Sequence, residues 1–153
     1  MTRSDPCFTP IKIVLIARVL GYGGAIPFLC GAIAANQQMP LLGLAPAHLL
    51  LSYGAVILSF LGGLHWGRVI TNPNANGRSD ITWLIWSVCP SLLGWVAILL
   101  PVKVGAIILS LCFLAALQID QKLFREQIWP EWMRPLRLHL SLIAIASLSS
   151  LAL

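Results

Sequence analysis

His48–Arg68 reads HLLLSYGAVILSFLGGLHWGR. The stretch is apolar throughout and meets no charge before Arg68. A helix crosses the roughly 30 Å hydrocarbon core of a bilayer in about 20 residues, so the stretch is long enough to span one. Ala55, Ser59, Gly63 and Gly67 recur at every fourth position and line one stripe of such a helix. Hydrophobic drive between helices is weak in lipid, and small residues mark where backbones approach closely. The stretch therefore reads as the central helix of a small membrane bundle, with Gly62 beside the stripe and a polar inner end, His65-Trp66-Gly67-Arg68.

Composition extends this reading to the whole chain. Of 153 residues, 58% are hydrophobic and 10% charged, and the mean hydropathy is +0.86. A soluble domain carries about 25% charged residues, so this chain cannot cover a water-facing surface and takes lipid as its main solvent. The net charge of +5 sits at the ends of apolar segments, not on one soluble face, which argues against nucleic acid as a partner. Cys7, Cys30, Cys89 and Cys112 form no CxxC pair and read as small packing residues, with no metal site.

Outward from the central helix, a polar lead over 1–12 precedes an apolar segment over 13–35. Gly23, Pro27, Gly31 and Ala35 repeat the four-residue spacing there, and Pro27 is expected to kink the helix by freeing the carbonyl of Gly23. Ala32-Ile33-Ala34 resembles a signal-peptide cleavage site, but the long lead, Arg18 and the packing stripe favour a retained helix. A charge-free loop leads to the second helix over 48–67, and the turn-rich TNPNANGRSD leads to the third over 81–100, with Pro90 and Gly94 in its interior. The fourth, over 104–119, is short. Residues 120–129 suggest a helix on the membrane surface, with Ile119, Leu123, Phe124 and Ile128 on one face. The fifth runs over 136–153. The expected fold is an all-α membrane bundle of five transmembrane helices in a single domain.

Charge supports that count. With five crossings, Arg3, Lys12, Arg18, Arg68, Arg78, Lys122, Arg125, Arg134 and Arg137 fall on one side and only Lys103 on the other. The positive-inside rule then places the N-terminus inside. Pro27–Gly31 and Pro90–Gly94 faintly echo one another, as in a parallel two-helix repeat.

The inner boundary gathers the groups that could act: His65, Trp66 and Arg68; Asp80, Trp83 and Trp86; Gln118 and Asp120; Trp132, Arg134, Arg137 and His139. The plainest reading is an interfacial belt of aromatic and basic residues. Three sharper ones compete. His65 and His139 could ligate a haem iron, although His65 points away from the small-residue stripe. The Trp and Arg residues could hold the head of a quinone or lipid. The two prolines could break helices around a transport site, but no charged residue lies near mid-membrane to serve one. No catalytic motif is present, which argues against an enzyme.

Tyr53 to Gly67, together with Leu20-Gly21, Pro27-Phe28, Pro90-Ser91-Leu92, Trp95, Trp132 and Leu136-Arg137, resembles the hallmark of the transmembrane protein 69-like family of small membrane proteins of unknown function. That resemblance implies a five-helix integral membrane protein of bacterial inner-membrane type, or mitochondrial inner-membrane type in a eukaryote. It implies no activity. The tryptophan-rich sensory proteins that bind porphyrins and sterols have similar architecture, but their Trp-Pro motifs do not occur here in the right places.

The leading functional expectation is a non-enzymatic accessory or assembly component packing against a larger membrane complex or a second copy of the chain. The motive is the surplus of small-residue stripes. The alternative is a binder of a quinone, lipid or porphyrin at the inner-leaflet boundary, or a small transporter.

Overall fold

The computed structural model describes residues 11–40, 43–72 and 77–152. Most of the polar lead, with Cys7 and Arg3, and residues 73–76 of the turn-rich loop lie outside the described residues. Six helices follow in order: α1 (Ile11–Gly23), α2 (Ile26–Asn36), α3 (Pro46–Ile70), α4 (Arg78–Leu99), α5 (Val102–Arg125) and α6 (Met133–Ser149).

Helices α1 and α2 are two halves of one apolar pass, Ile11–Asn36, broken at Gly24–Ala25. Pro27 stands in the first turn of α2, where it needs no backbone donor. The carbonyl of Gly24 is satisfied from α3, by the Tyr53 hydroxyl at 2.8 Å. Three further helices are long and apolar enough to cross a membrane, over Pro46–Ile70, Asp80–Leu99 and Val102–Arg125. Helix α6 has 17 residues, about 25 Å at 1.5 Å per residue. Contacts fix the directions. Gly94 meets Ala55, Ser91 bonds Ser59 and Pro90 meets Gly62, so α3 and α4 are antiparallel. Ser149 faces Ser110 and Arg137 faces Asp120, so α6 returns along α5. The chain thus makes five alternating passes, and the polar ends of α3, α4, α5 and α6 lie together.

The central seam of α3 does not follow the four-residue stripe. Leu51, Ala55, Leu58, Gly62, His65 and Val69 are buried, spaced by four, three, four, three and four. Each four-residue step drifts about 40° around a helix of 100° per residue, so a strict stripe leaves its neighbour. Steps averaging 3.6 stay on it. Ala55 and Ser59 pack on α4, whereas a Cβ at Gly63 or Gly67 would meet nothing within 4 Å. Gly62 takes the close approach instead, against the Ser87 carbonyl and Pro90. In the first pass Gly31 packs on Leu50, while Gly23 meets nothing and neighbouring Gly24 lies under Tyr53. Pro27 is exposed. Gly23, Pro27, Gly63 and Gly67 are thus corrected: they are not internal packing positions.

The separate surface helix expected over 120–129 does not form. Helix α5 continues to Arg125, because no Gly or Pro lies between Gly105 and Pro130. It ends with Gln127 at φ 56, as Gln127 N–H donates to the Phe124 carbonyl and Ile128 N–H to that of Leu123. This is the Schellman arrangement that closes a helix on a left-handed residue. At 24 residues the fourth pass is not short, and no thinning of the bilayer is required.

Candidate functional site

Three helices each place one ionisable residue on their buried seam near the polar end. On α3, His65 follows Leu58 and Gly62. On α5, Asp120 follows Phe113 and Ala116. On α6, Arg137 precedes Ser141 and Ala144. The three side chains meet. His65 and Asp120 are each 2% exposed and Arg137 is 8% exposed. Arg137 Nε donates to Asp120 Oδ2 at 2.8 Å, and its Nη2 shares the same oxygen. His65 Nε2 stands 3.7 Å from the other carboxylate oxygen. Burial without partners would cost several kcal/mol per charge, so the guanidinium and carboxylate are held as a pair.

Aromatic rings wall the cluster. Trp83 of α4 stacks on His65 with centroids 5.7 Å apart, and Trp129, from the α5–α6 connection, meets it edge-on at 5.9 Å. The Arg68 guanidinium lies 4.9 Å over Trp83, a cation–π arrangement. Among the described residues, the buried polar atoms without a hydrogen-bond partner are His65 Nδ1, Arg68 Nε and Nη2, and the indole nitrogens of Trp129 and Trp132. All but the histidine nitrogen are obligate donors.

Beside the cluster runs an apolar cavity of about 390 Å³. Its walls come from α1 and α2 (Ala17, Leu20, Gly21, Phe28), α3 (Ile57 to Leu64) and α6 (Leu136 to Ala144), with Phe113 of α5 as floor. Trp132 and Arg137 close its polar end. Along α6 the lining extends from Trp132 to Ala144, about 18 Å at 1.5 Å per residue. Two lining side chains, Leu20 of α1 and Phe60 of α3, are 70% and 62% exposed. They mark a lateral opening toward lipid.

The sequence-derived site residues divide accordingly. His65, Arg68, Trp83, Asp120 and Arg137 come together, with Trp132 at the cavity mouth. Trp66 is 46% exposed and faces out. Trp86 is half-buried in α4. Arg134 is exposed and donates to Gln121 Oε1 at 3.2 Å. His139 is exposed and pairs with the Tyr22 hydroxyl at 2.9 Å. It lies two residues beyond Arg137, about 200° around α6, so His139 and His65 do not face a common gap. The shared iron site imagined for them has no place in this geometry. Trp129, in the α5–α6 connection, also meets His65. Nothing in its local sequence signals that contact.

The outer face is apolar, with Val56, Phe60, Ile85, Trp95 and Leu111 among its exposed side chains, and contacts the bilayer. Fold and site define a small multi-pass helical membrane protein with an ion pair sealed inside its bundle. The chain belongs to a family described as "Protein of unknown function (DUF3429)", whose model matches residues 13–153. It is 34% identical over 137 residues to Transmembrane protein 69 of Xenopus tropicalis, covering 86% of this chain and 51% of the relative. It is 32% identical over 97 residues to Transmembrane protein 69 of Mus musculus, covering 63% of this chain and 39% of the relative. The chain thus spans about half the length of the first relative and less of the second. No solved structure matches.

Proposed function

We propose that this protein holds a lipid-soluble amphiphile, its chain in the cavity between α1, α3 and α6 and its polar head at the Arg137 end. The observation that carries this reading is the cavity itself. It is apolar along its length, open sideways to lipid, and lined at one end by Arg137 and Trp132. Its volume lies in the range of small-molecule sites, roughly 300–1,000 Å³. The charge bias of the loops puts this end on the inner side of the membrane, in keeping with an inner-leaflet ligand.

Native mass spectrometry of the protein, extracted in mild detergent from its own membrane, tests the reading. A retained mass of lipid size is expected. Ala17 lines the cavity on α1, the helix least engaged with the bundle, so Ala17→Trp should fill the space and remove that mass while leaving the fold intact. Wild-type protein with no adduct, or Ala17→Trp with the adduct undiminished, would sink the proposal.

A second reading, an accessory role against a larger membrane complex, draws on a different observation. Gly63 and Gly67 stand free on the outer side of α3, the kind of surface on which another helix can pack closely.

A further inference from the structure

We infer that the amphiphile is an anionic phospholipid, its phosphate recognised by Arg68, Arg137, Trp129 and Trp132. The inference rests on the amphiphile-binding reading above and adds the chemistry of the head.

Charge comes first. The cluster contains two guanidinium groups and one carboxylate. Asp120 is committed to Arg137, whereas Arg68 meets a tryptophan face and no carboxylate among the described residues. One positive charge is left over on the half-buried Arg68, where an opposing charge is worth more than in bulk water.

Hydrogen bonding comes second. Arg68 Nε and Nη2, Trp129 Nε1 and Trp132 Nε1 are buried donors without acceptors among the described residues. Nε and Nη2 form one edge of the guanidinium, the edge that grips two oxygens of a phosphate side by side. A buried donor left unpaired is costly, so an acceptor-rich head is the complement of this surface. A neutral quinone would supply two carbonyl acceptors and no charge, leaving Arg68 uncompensated.

Continuity comes third. Arg68 lies over Trp83, Trp83 on His65, and His65 against Asp120 and Trp129. Asp120 holds Arg137, which lines the cavity. Arg68 also lies one turn beyond Leu64, a cavity-lining residue of the same helix. The cavity's extent of about 18 Å along α6 matches one leaflet of a hydrocarbon core roughly 30 Å thick.

The test is a competition. Purified protein in mild detergent is offered equal amounts of phosphatidylglycerol and phosphatidylcholine, and adducts are counted by native mass spectrometry. Wild type should retain phosphatidylglycerol in clear preference. Arg68→Gln should lower that retention roughly tenfold, the scale of one charged hydrogen bond. Trp132→Phe, which keeps the ring and removes the N–H, should lower it severalfold. Arg125→Gln changes an exposed cation bonded to its own helix and should change nothing. Equal retention of the two lipids, or full retention by Arg68→Gln, would overturn the anion assignment while leaving a cavity that binds lipid. An equal loss in Arg125→Gln would also overturn it, by showing diffuse surface attraction. Retention of neither lipid, with no native adduct, would remove the underlying reading as well.

Discussion

Asp120→Ala is expected to destabilise the fold by about 3–5 kcal/mol, because it strands a buried guanidinium. Arg137 lies on the seam where α6 meets α5, and its Nε and Nη2 both donate to the carboxylate. With the carboxylate gone, the charge must either remain unpaired in a low-dielectric interior or pull α6 away from its neighbours toward water. Either way the α5–α6 contact weakens, and the cavity wall formed by Leu136, Leu140 and Ala144 goes with it. Thermal unfolding in detergent micelles should show the loss. The double variant Asp120→Leu with Arg137→Met removes both charges, and buried ion pairs replaced by apolar residues of similar size often cost nothing. Its stability should return close to that of the parent. Failure of the double variant to recover would mean that the pair does more than neutralise itself.

Adjacent glycines on α3 should give opposite results. A Cβ at Gly62 would collide with the Ser87 carbonyl oxygen of α4 and press on Pro90 Cγ at 3.4 Å. Backbone cannot yield as a side chain does, so Gly62→Leu should cost about 3 kcal/mol, the upper end of ordinary overpacking, or more. The readout is the unfolding midpoint in detergent. Gly63→Leu points into open space and should leave that midpoint unchanged. If a second protein or a second copy packs on the exposed Gly63–Gly67 surface, Gly63→Leu should abolish the association without harming insertion. Crosslinking in native membranes reads this out, and unchanged crosslinks would remove the basis of the accessory reading.

These contrasts show where the sequence was legible. The bundle was readable because apolar runs of membrane length are separated by turn-rich or charged stretches, and because basic residues sort to one side under five crossings. The gathering of His65, Asp120 and Arg137 at one depth followed from that alternation. Their contact was harder to foresee, since it depends on rotation about each helix. A four-residue spacing on α3 suggested a stripe ending in Gly63 and Gly67, but the helix packs on a seam of alternating four- and three-residue steps that carries Gly62 and His65 inward. A polar residue in register with Leu58 and Gly62, or with Phe113 and Ala116, was the available signal. The apparent end of the fourth segment at Asp120 concealed it. Hydropathy falls at a buried carboxylate just as it falls at a membrane boundary, and only its partner 17 residues on tells the two apart. Trp129 and the cavity depend on how the α5–α6 connection folds back, which no local pattern encodes.

Helix α1 reaches the bundle mainly through the last helix of the chain. Gly21 lies against Leu136, Tyr22 bonds His139, and Arg18 reaches the carbonyl of Trp132. Chains are made from the N-terminus onward, so the first segment waits in the bilayer until its partner emerges. Until then the cavity lacks the wall that α6 supplies, and Asp120 has no counter-ion. Arrival of α6 completes the wall and the ion pair in one step. A chain truncated before residue 133 would therefore keep four passes and carry an Asp120 carboxylate without its counter-ion.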